Sequence, residues 1–119
     1  MFTTRKCLND QLKQFCGTEN YTRHSFSRIH LTDGIVYAKD VHGLNWLVDK
    51  IAPQAINLKR HPFQCWKLSR VGKTGCFNLL CTDGNDNLLY KEIIGYSDCE
   101  SDHVDIWVAD NIMMLPSEY

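Results

Sequence analysis

The sequence predicts an α+β domain in which two N-terminal helices pack on a mainly antiparallel sheet of about four to six strands. Three observations support this fold class. Apolar residues recur at helical spacing in the first half, β-forming residues dominate from Pro62 onward, and turn-forming residues separate the β-rich segments. Helices followed by strands along the chain are typical of α+β domains, in which helices cover one sheet face.

The first predicted helix spans about residues 3–16. Leu8, Leu12 and Phe15 recur at i, i+4 and i+7, the spacing of one apolar stripe. Short extended pieces follow, and the run Thr32-Asp33-Gly34 reads as a turn. We therefore expect residues 29–31 and 35–38 to be extended, with a hairpin as one arrangement.

The second predicted helix spans about residues 41–52, with Asp40 as its cap. Its apolar stripe consists of Leu44, Leu47, Val48 and Ile51. Pro53 is expected to end it, because proline disfavours a helical conformation at the preceding residue.

Four β-rich segments follow, at spacings that predict an antiparallel meander. They are Phe63–Val71, Gly75–Thr82, Leu88–Gly95 and Val104–Ala109. Residues 112–115 are expected to add a short last strand after an Asp110-Asn111 turn.

The 119 residues suit one domain covering 1–119, with 44% apolar and 23% charged residues. This composition excludes collagen-like and disordered classes. No stretch is long and apolar enough to span a bilayer, and the N-terminus lacks the apolar segment of a signal peptide. We therefore expect a cytoplasmic protein with free thiols and no membrane partner.

Charge is unevenly distributed along the chain. Residues 1–73 carry twelve lysines and arginines and five acidic residues, while residues 74–119 carry one lysine and nine acidic residues. The net charges are thus +7 and −8. Such a split is compatible with a nucleic-acid surface on the basic half, or with two halves that neutralise each other on packing.

Several short motifs resemble a known family. They are Gly17-Thr18-Glu19-Asn20-Tyr21-Thr22-Arg23-His24, Thr32-Asp33-Gly34-Ile35-Val36-Tyr37, Trp46-Leu47-Val48-Asp49-Lys50-Ile51-Ala52, Pro62-Phe63-Gln64-Cys65-Trp66-Lys67-Leu68 and Leu115-Pro116-Ser117-Glu118-Tyr119. Together they resemble a family of short bacterial proteins known only as a domain of unknown function. The resemblance implies a bacterial, cytosolic, single-domain protein of a family carried by mobile elements, and it implies no activity.

The candidate binding residues form two groups. Trp46 and His42 lie on the polar face of the second predicted helix, where an aromatic ring suits a protein partner or a flat ligand. The second group combines cationic and imidazole side chains suited to phosphate or carboxylate: Arg23, His24, Arg28, His30 and His61. The alternatives are a covered Trp46 and a solvated basic loop.

Other chemistry has weaker support in the sequence. The acidic segment 98–105 mixes carboxylates with a thiol and an imidazole, but it lacks the spacing of a zinc site. Cys65 lies near cationic residues, yet free cysteines are mostly core residues. No phosphate loop, nucleophile elbow or HExxH motif is present. We therefore predict no catalytic residue, resident metal or cofactor.

These observations favour a binding module for a protein or nucleoprotein partner. The alternative is a small hydrolase or transferase acting on a phosphorylated or nucleotide-like ligand, through Arg23, His24, His30 and His61. A third reading is an acidic inhibitor that mimics nucleic acid, and it requires the carboxylates of residues 83–105 on one face. A homodimer through exposed Trp107, Met113 or Met114 is a further alternative.

Overall fold

Seven strands form one mixed sheet, and two helices cover one of its faces. The structure, a computed structural model, describes residues 21–24, 28–72, 75–95 and 103–118. Its elements are β1 (Thr22–Arg23), β2 (His30–Leu31), α1 (Asp33–Val41), α2 (Asn45–Asn57), β3 (Phe63–Arg70), β4 (Phe77–Thr82), β5 (Leu88–Ile94), β6 (His103–Ala109), β7 (Ile112–Met114) and a 3₁₀ turn (Pro116–Glu118). The predicted first helix lies outside the described residues.

The strands are ordered β1-β2-β7-β6-β3-β4-β5 across the sheet. Only β2 and β7 pair in parallel, and all other neighbours are antiparallel. The four strands predicted after Pro62 correspond to β3–β6 within two residues at each end. That prediction succeeded because β3 and β6 alternate buried and partly exposed side chains, which is the pattern of a strand with one covered face. The predicted meander is wrong for β6, which pairs with β3 instead of β5.

The predicted fold class was wrong in two respects. The described helices occupy residues 33–57, in the middle of the chain, and the sheet has seven strands and mixed pairing. Residues 35–38 were expected to be extended because Ile35, Val36 and Tyr37 favour strands. They belong to α1 instead, since tertiary contacts override that propensity: Ile35 and Ala38 lie three residues apart and are both buried in the core.

Glu118 caps the start of α1. Its carboxylate accepts hydrogen bonds from the Thr32 hydroxyl at 2.6 Å and from the Gly34 N–H at 3.0 Å. A carboxylate at a helix N-terminus satisfies a donor without an intrahelical partner and complements the helix dipole. A Cβ on Gly34 would lie 2.5 Å from Glu118 Oε1 and 2.6 Å from Leu115 Cδ1, so only glycine permits this approach.

The second helix also differs from its prediction. Asp40 lies inside α1, the chain reverses at Gly43 with φ +66°, and α2 begins at Asn45. Pro53 lies within α2, which continues to Asn57. The helix continues past the proline because the residues after it still contribute to the buried stripe. The buried side chains of α2 are Leu47, Val48, Ile51, Ala52 and Ala55.

The core lies between the helices and the covered sheet face. Trp66, Leu68, Phe77 and Leu79 are each at most 1% exposed and pack with the helix stripe. Met113 and Met114 are buried too, at 0% and 8% exposure, because β7 is an interior strand. The expectation that these methionines are exposed for a homodimer was therefore wrong.

Candidate functional site

A cleft of about 690 Å³ lies where β3 begins and β6 ends. Two separate parts of the chain contribute basic side chains to it. Arg28 precedes β2, while Lys59 and His61 belong to the turn after α2. Ile56 and Val108 supply apolar surface, so the cleft combines cationic groups with an apolar wall.

Gln64 holds the turn that carries Lys59 and His61. Its side-chain Nε2 donates to the carbonyls of Ala55 at 3.2 Å, Leu58 at 3.1 Å and His61 at 3.4 Å. The last carbonyls of a helix lack intrahelical partners, and this amide supplies partners for two of them as well as for the turn. Its Oε1 accepts the indole N–H of Trp66 at 3.0 Å, so both ends of the buried side chain are fixed.

The opposite wall of the cleft is the tight turn between β6 and β7. Asp110 and Asn111 have φ values of 52° and 64° and join paired residues Ala109 and Ile112, as in a type I′ hairpin. The Asn111 carbonyl accepts the His30 N–H at 2.8 Å. This bond connects the turn to β2 and so positions the preceding Arg28 beside it.

The electrostatics of the cleft favour an anion. Arg28 and Lys59 are exposed cations, His61 is half-buried and Asp110 contributes one carboxylate. A guanidinium offers two parallel donors to a phosphate or carboxylate, and an ammonium adds a point charge.

A family model, DUF6876, described as a family of unknown function, matches residues 6–119. The chain belongs to this family. The prediction of membership in an uncharacterised family is thereby confirmed. No curated protein and no solved structure matches the chain.

Two of the predicted binding residues of this DUF6876 member meet in the cleft, namely Arg28 and His61. Arg23 and His30 do not line it: they pair in register across β1 and β2, both are exposed, and the β2–β7 register places them on the opposite face of the sheet. His24 lies elsewhere: its side chain is 2% exposed, and its Nε2 lies 2.7 Å from Asp49 Oδ1 on α2. This contact connects the chain after β1 to α2.

The remaining two predicted residues do not line the cleft. His42 follows α1, and its ring lies 5.6 Å from the Tyr37 ring, centroid to centroid. Trp46 is half-buried and packs against the core cluster. This DUF6876 chain therefore does not present Trp46 as a fully exposed anchor.

The sequence reasoning missed Gln64. A glutamine in phase with buried Trp66 and Leu68 on an alternating strand was the available signal, because a buried amide needs hydrogen-bond partners. Those partners lie at the end of a helix whose length was itself mispredicted. The role of Gln64 could therefore not be predicted without knowing where α2 ends.

The thiols of the described sheet do not form a nucleophilic centre. Burial raises the pKa of the Cys65 thiol, and this effect outweighs the Thr82 hydrogen bond and the Lys67 charge, which lower it. Burial raises the pKa of Cys81 to about 12. A thiolate is the reactive form of cysteine, so both side chains are unreactive near neutral pH.

Two negative findings apply to the described part of the chain. It contains no group of three or more histidine, cysteine, aspartate or glutamate side chains placed to hold a metal. Its helices are too short or too polar to cross a membrane. Most of the predicted acidic segment 98–105 lies outside the described residues.

Proposed function

We propose that this protein is a binding module for a phosphate-bearing partner, namely the nucleic acid of a nucleoprotein complex. The observation that carries the proposal is the convergence of Arg28, Lys59 and His61 in one cleft, from parts of the chain that are distant in sequence. Their turn is organised by a buried glutamine rather than left to solvent. The proposal includes a bacterial source and a cytoplasmic location, where nucleic acid is accessible.

Nucleic acid is favoured over a purely protein partner by the placement of the side chains. Trp46 is half-buried against the core, so it offers little free aromatic surface. Arg28 and Lys59 are both exposed cations at the cleft, whereas the register of β1, β2 and β7 places Arg23 and His30 on the opposite face of the sheet. A pair of cations in one cleft suits phosphate groups, because each phosphate contact adds to the affinity.

Binding is favoured over catalysis by the same geometry. The enzyme alternative relies on four side chains, of which only His61 lines the cleft. His24 is buried against Asp49, too enclosed to serve as a proton donor or acceptor for a ligand there. The acidic-inhibitor alternative loses support as well, since Glu92 is bound by Lys50 on the covered face.

Fluorescence anisotropy with labelled single-stranded DNA, single-stranded RNA and duplex DNA tests the proposal. We expect Arg28→Gln and Lys59→Gln each to weaken binding about tenfold, the size of a lost charge-assisted hydrogen bond. Each substitution is expected to reduce the slope of log K against log salt by about 0.7 on single strands. Arg60→Gln is the matched control, because Arg60 is exposed in the same turn and does not line the cleft.

Two outcomes would contradict the proposal. The first is the absence of a saturable anisotropy change with all three nucleic acids. The second is an equal loss with Arg60→Gln, or equal competition by a poly-glutamate peptide, since either result would indicate attraction by net charge rather than by this cleft.

A further inference from the structure

A second cleft, of about 410 Å³, lies on the sheet face opposite the helices. Its lining includes Lys67 of β3, Leu80 of β4, and Asp105 and Trp107 of β6. These residues alternate with the buried ones on the same strands, so the cleft opens away from the core. The anion cleft is lined by Gln64 and Val108, which face the helices, so the two clefts lie on different faces.

Asp105 presents an unsatisfied carboxylate to this second cleft. Its Oδ1 is buried from solvent and has no hydrogen-bond partner among the described residues. Buried polar atoms nearly always have a partner, because an unpaired one is costly. A carboxylate oxygen held in this way accepts hydrogen bonds only, so its complement is a donor, and a cationic donor suits it best.

Lys67 lies directly across from Asp105 in the antiparallel register of β3 and β6. Opposed residues of neighbouring strands have their Cα atoms about 5 Å apart. The cleft therefore presents an ammonium and a carboxylate side by side, with Asp86 at its margin. A simple cation would be repelled by Lys67, and a simple anion would be repelled by the carboxylates of Asp105 and Asp86. A ligand that bears both charges can pair its ammonium with a carboxylate and its carboxylate with Lys67.

We propose that this cleft binds an α-amino acid with an apolar side chain. The ligand ammonium donates to the Asp105 carboxylate, and the ligand carboxylate accepts from Nζ of Lys67. The side chain lies toward Leu80 and Trp107, whose apolar surfaces line the cleft. The inference uses none of the residues of the anion cleft and stands or falls independently of the proposed function.

Three matched probes test the inference: L-leucine, 3-methylbutylamine, which lacks the carboxylate, and 4-methylpentanoate, which lacks the ammonium. Binding is followed by two-dimensional amide NMR and by the indole N–H signal of Trp107. We expect L-leucine to give saturable shifts at β3 and β6. The amine and the carboxylate, which each carry one of the two charges, are expected to bind at least about tenfold more weakly. L-phenylalanine is a second amino-acid probe, with a larger apolar side chain than L-leucine.

Charge-removing variants locate the contacts. We expect Asp105→Asn and Lys67→Gln each to reduce L-leucine affinity about tenfold or more. Asp40→Asn is the control for the carboxylate, being exposed on α1. Lys91→Gln is the control for the ammonium, because Lys91 shares the sheet face, two strands from Lys67, without lining the cleft.

Thermal unfolding without ligand separates binding from a structural role. Because Asp105 Oδ1 has no partner within the described part of the chain, we expect Asp105→Asn to leave Tm unchanged or to raise it. A fall of more than about 4 °C would show a stabilising partner for Asp105 and overturn the inference. Absence of saturable shifts with both amino acids would overturn it, as would 3-methylbutylamine binding as tightly as L-leucine.

Discussion

Polar groups are arranged differently on the two faces of the sheet. Near the helices, buried polar side chains are bonded: Gln64 reaches three carbonyls and an indole, and His24 contacts Asp49. On the open face, Asp105 keeps a buried oxygen without a partner among the described residues. Satisfied polar groups stabilise and specify a fold, whereas an unsatisfied one lowers stability. We infer that the bonded side chains Gln64 and His24 stabilise the covered face, whereas Asp105 serves the second cleft on the open face.

The largest expected effect is on the covered face, from Gln64→Leu. This change leaves the indole N–H of Trp66 and the carbonyl of Ala55 without their Gln64 partner, while the Leu58 carbonyl keeps the His61 N–H. Because each buried unsatisfied group costs about 1–3 kcal/mol, we expect a total loss of about 3 kcal/mol in the free energy of unfolding. Urea denaturation measures it, with Gln54→Leu, a half-buried glutamine on α2, as the control. A loss below that of the control would contradict the assigned role.

An intermediate effect is expected from Gly34→Ala at the start of α1. Alanine is ordinarily favoured over glycine in a helix by about 1 kcal/mol. Here we expect the reverse, a loss of about 1–3 kcal/mol, because the new methyl group would overlap Glu118 and Leu115. Urea denaturation of Gly34→Ala, Glu118→Ala and the double variant measures the coupling.

Two outcomes decide this prediction. Since Glu118→Ala removes one of the overlapping groups, Gly34→Ala is expected to cost less in that background. Equal cost in both backgrounds would show that Glu118 does not approach Gly34 as described.

The smallest expected effect is a pH dependence at the β5 edge, where Lys50 Nζ lies 2.7 Å from Glu92 Oε2 and the Tyr90 hydroxyl donates to Oε1 at 2.6 Å. Hydrogen bonds, first from Lys50 and then from Tyr90, hold the pKa of the Glu92 carboxyl below its ordinary value of 4.5. A lowered folded-state pKa means that this stabilisation is complete above about pH 4.5 and is lost as pH falls through the folded value.

Because Glu92 is 30% exposed, we expect this contribution to be under about 1 kcal/mol. Denaturation from pH 3 to pH 7 should show a weaker acid loss in Glu92→Gln than in the parent chain. Parallel profiles of unfolding free energy against pH for the two proteins would show that Glu92 does not make this contribution.

Local patterns predicted the sheet better than they predicted the helices. Strands β3–β6 carry their own alternation and turn residues, so a short window sufficed to find them. The start of α1 depends on Glu118, 84 residues beyond Gly34, and no local window contains that contact. Its Thr32-Asp33-Gly34 run has turn composition, which explains why a turn was predicted in place of a helix start.

The candidate sites divide in the same way. Arg28 and His61 were predicted as binding residues from the chemistry of their guanidinium and imidazole groups. Their convergence with Lys59 could not be predicted without knowing how β2, α2 and β7 are placed relative to one another. Asp105 and Lys67 are 38 positions apart, and only the β3–β6 register brings them opposite each other.

The capping contact of Glu118 has a consequence for the order of synthesis. Ribosomes extend the chain at about 5–20 residues per second, so Thr32 and Gly34 are made several seconds before Glu118. Their partners in the folded protein, Glu118 and strand β7, lie late in the chain. On the nascent polypeptide, the helix start and β2 therefore wait for residues 112–118, and this edge of the sheet closes only after strands β3–β6 have been translated.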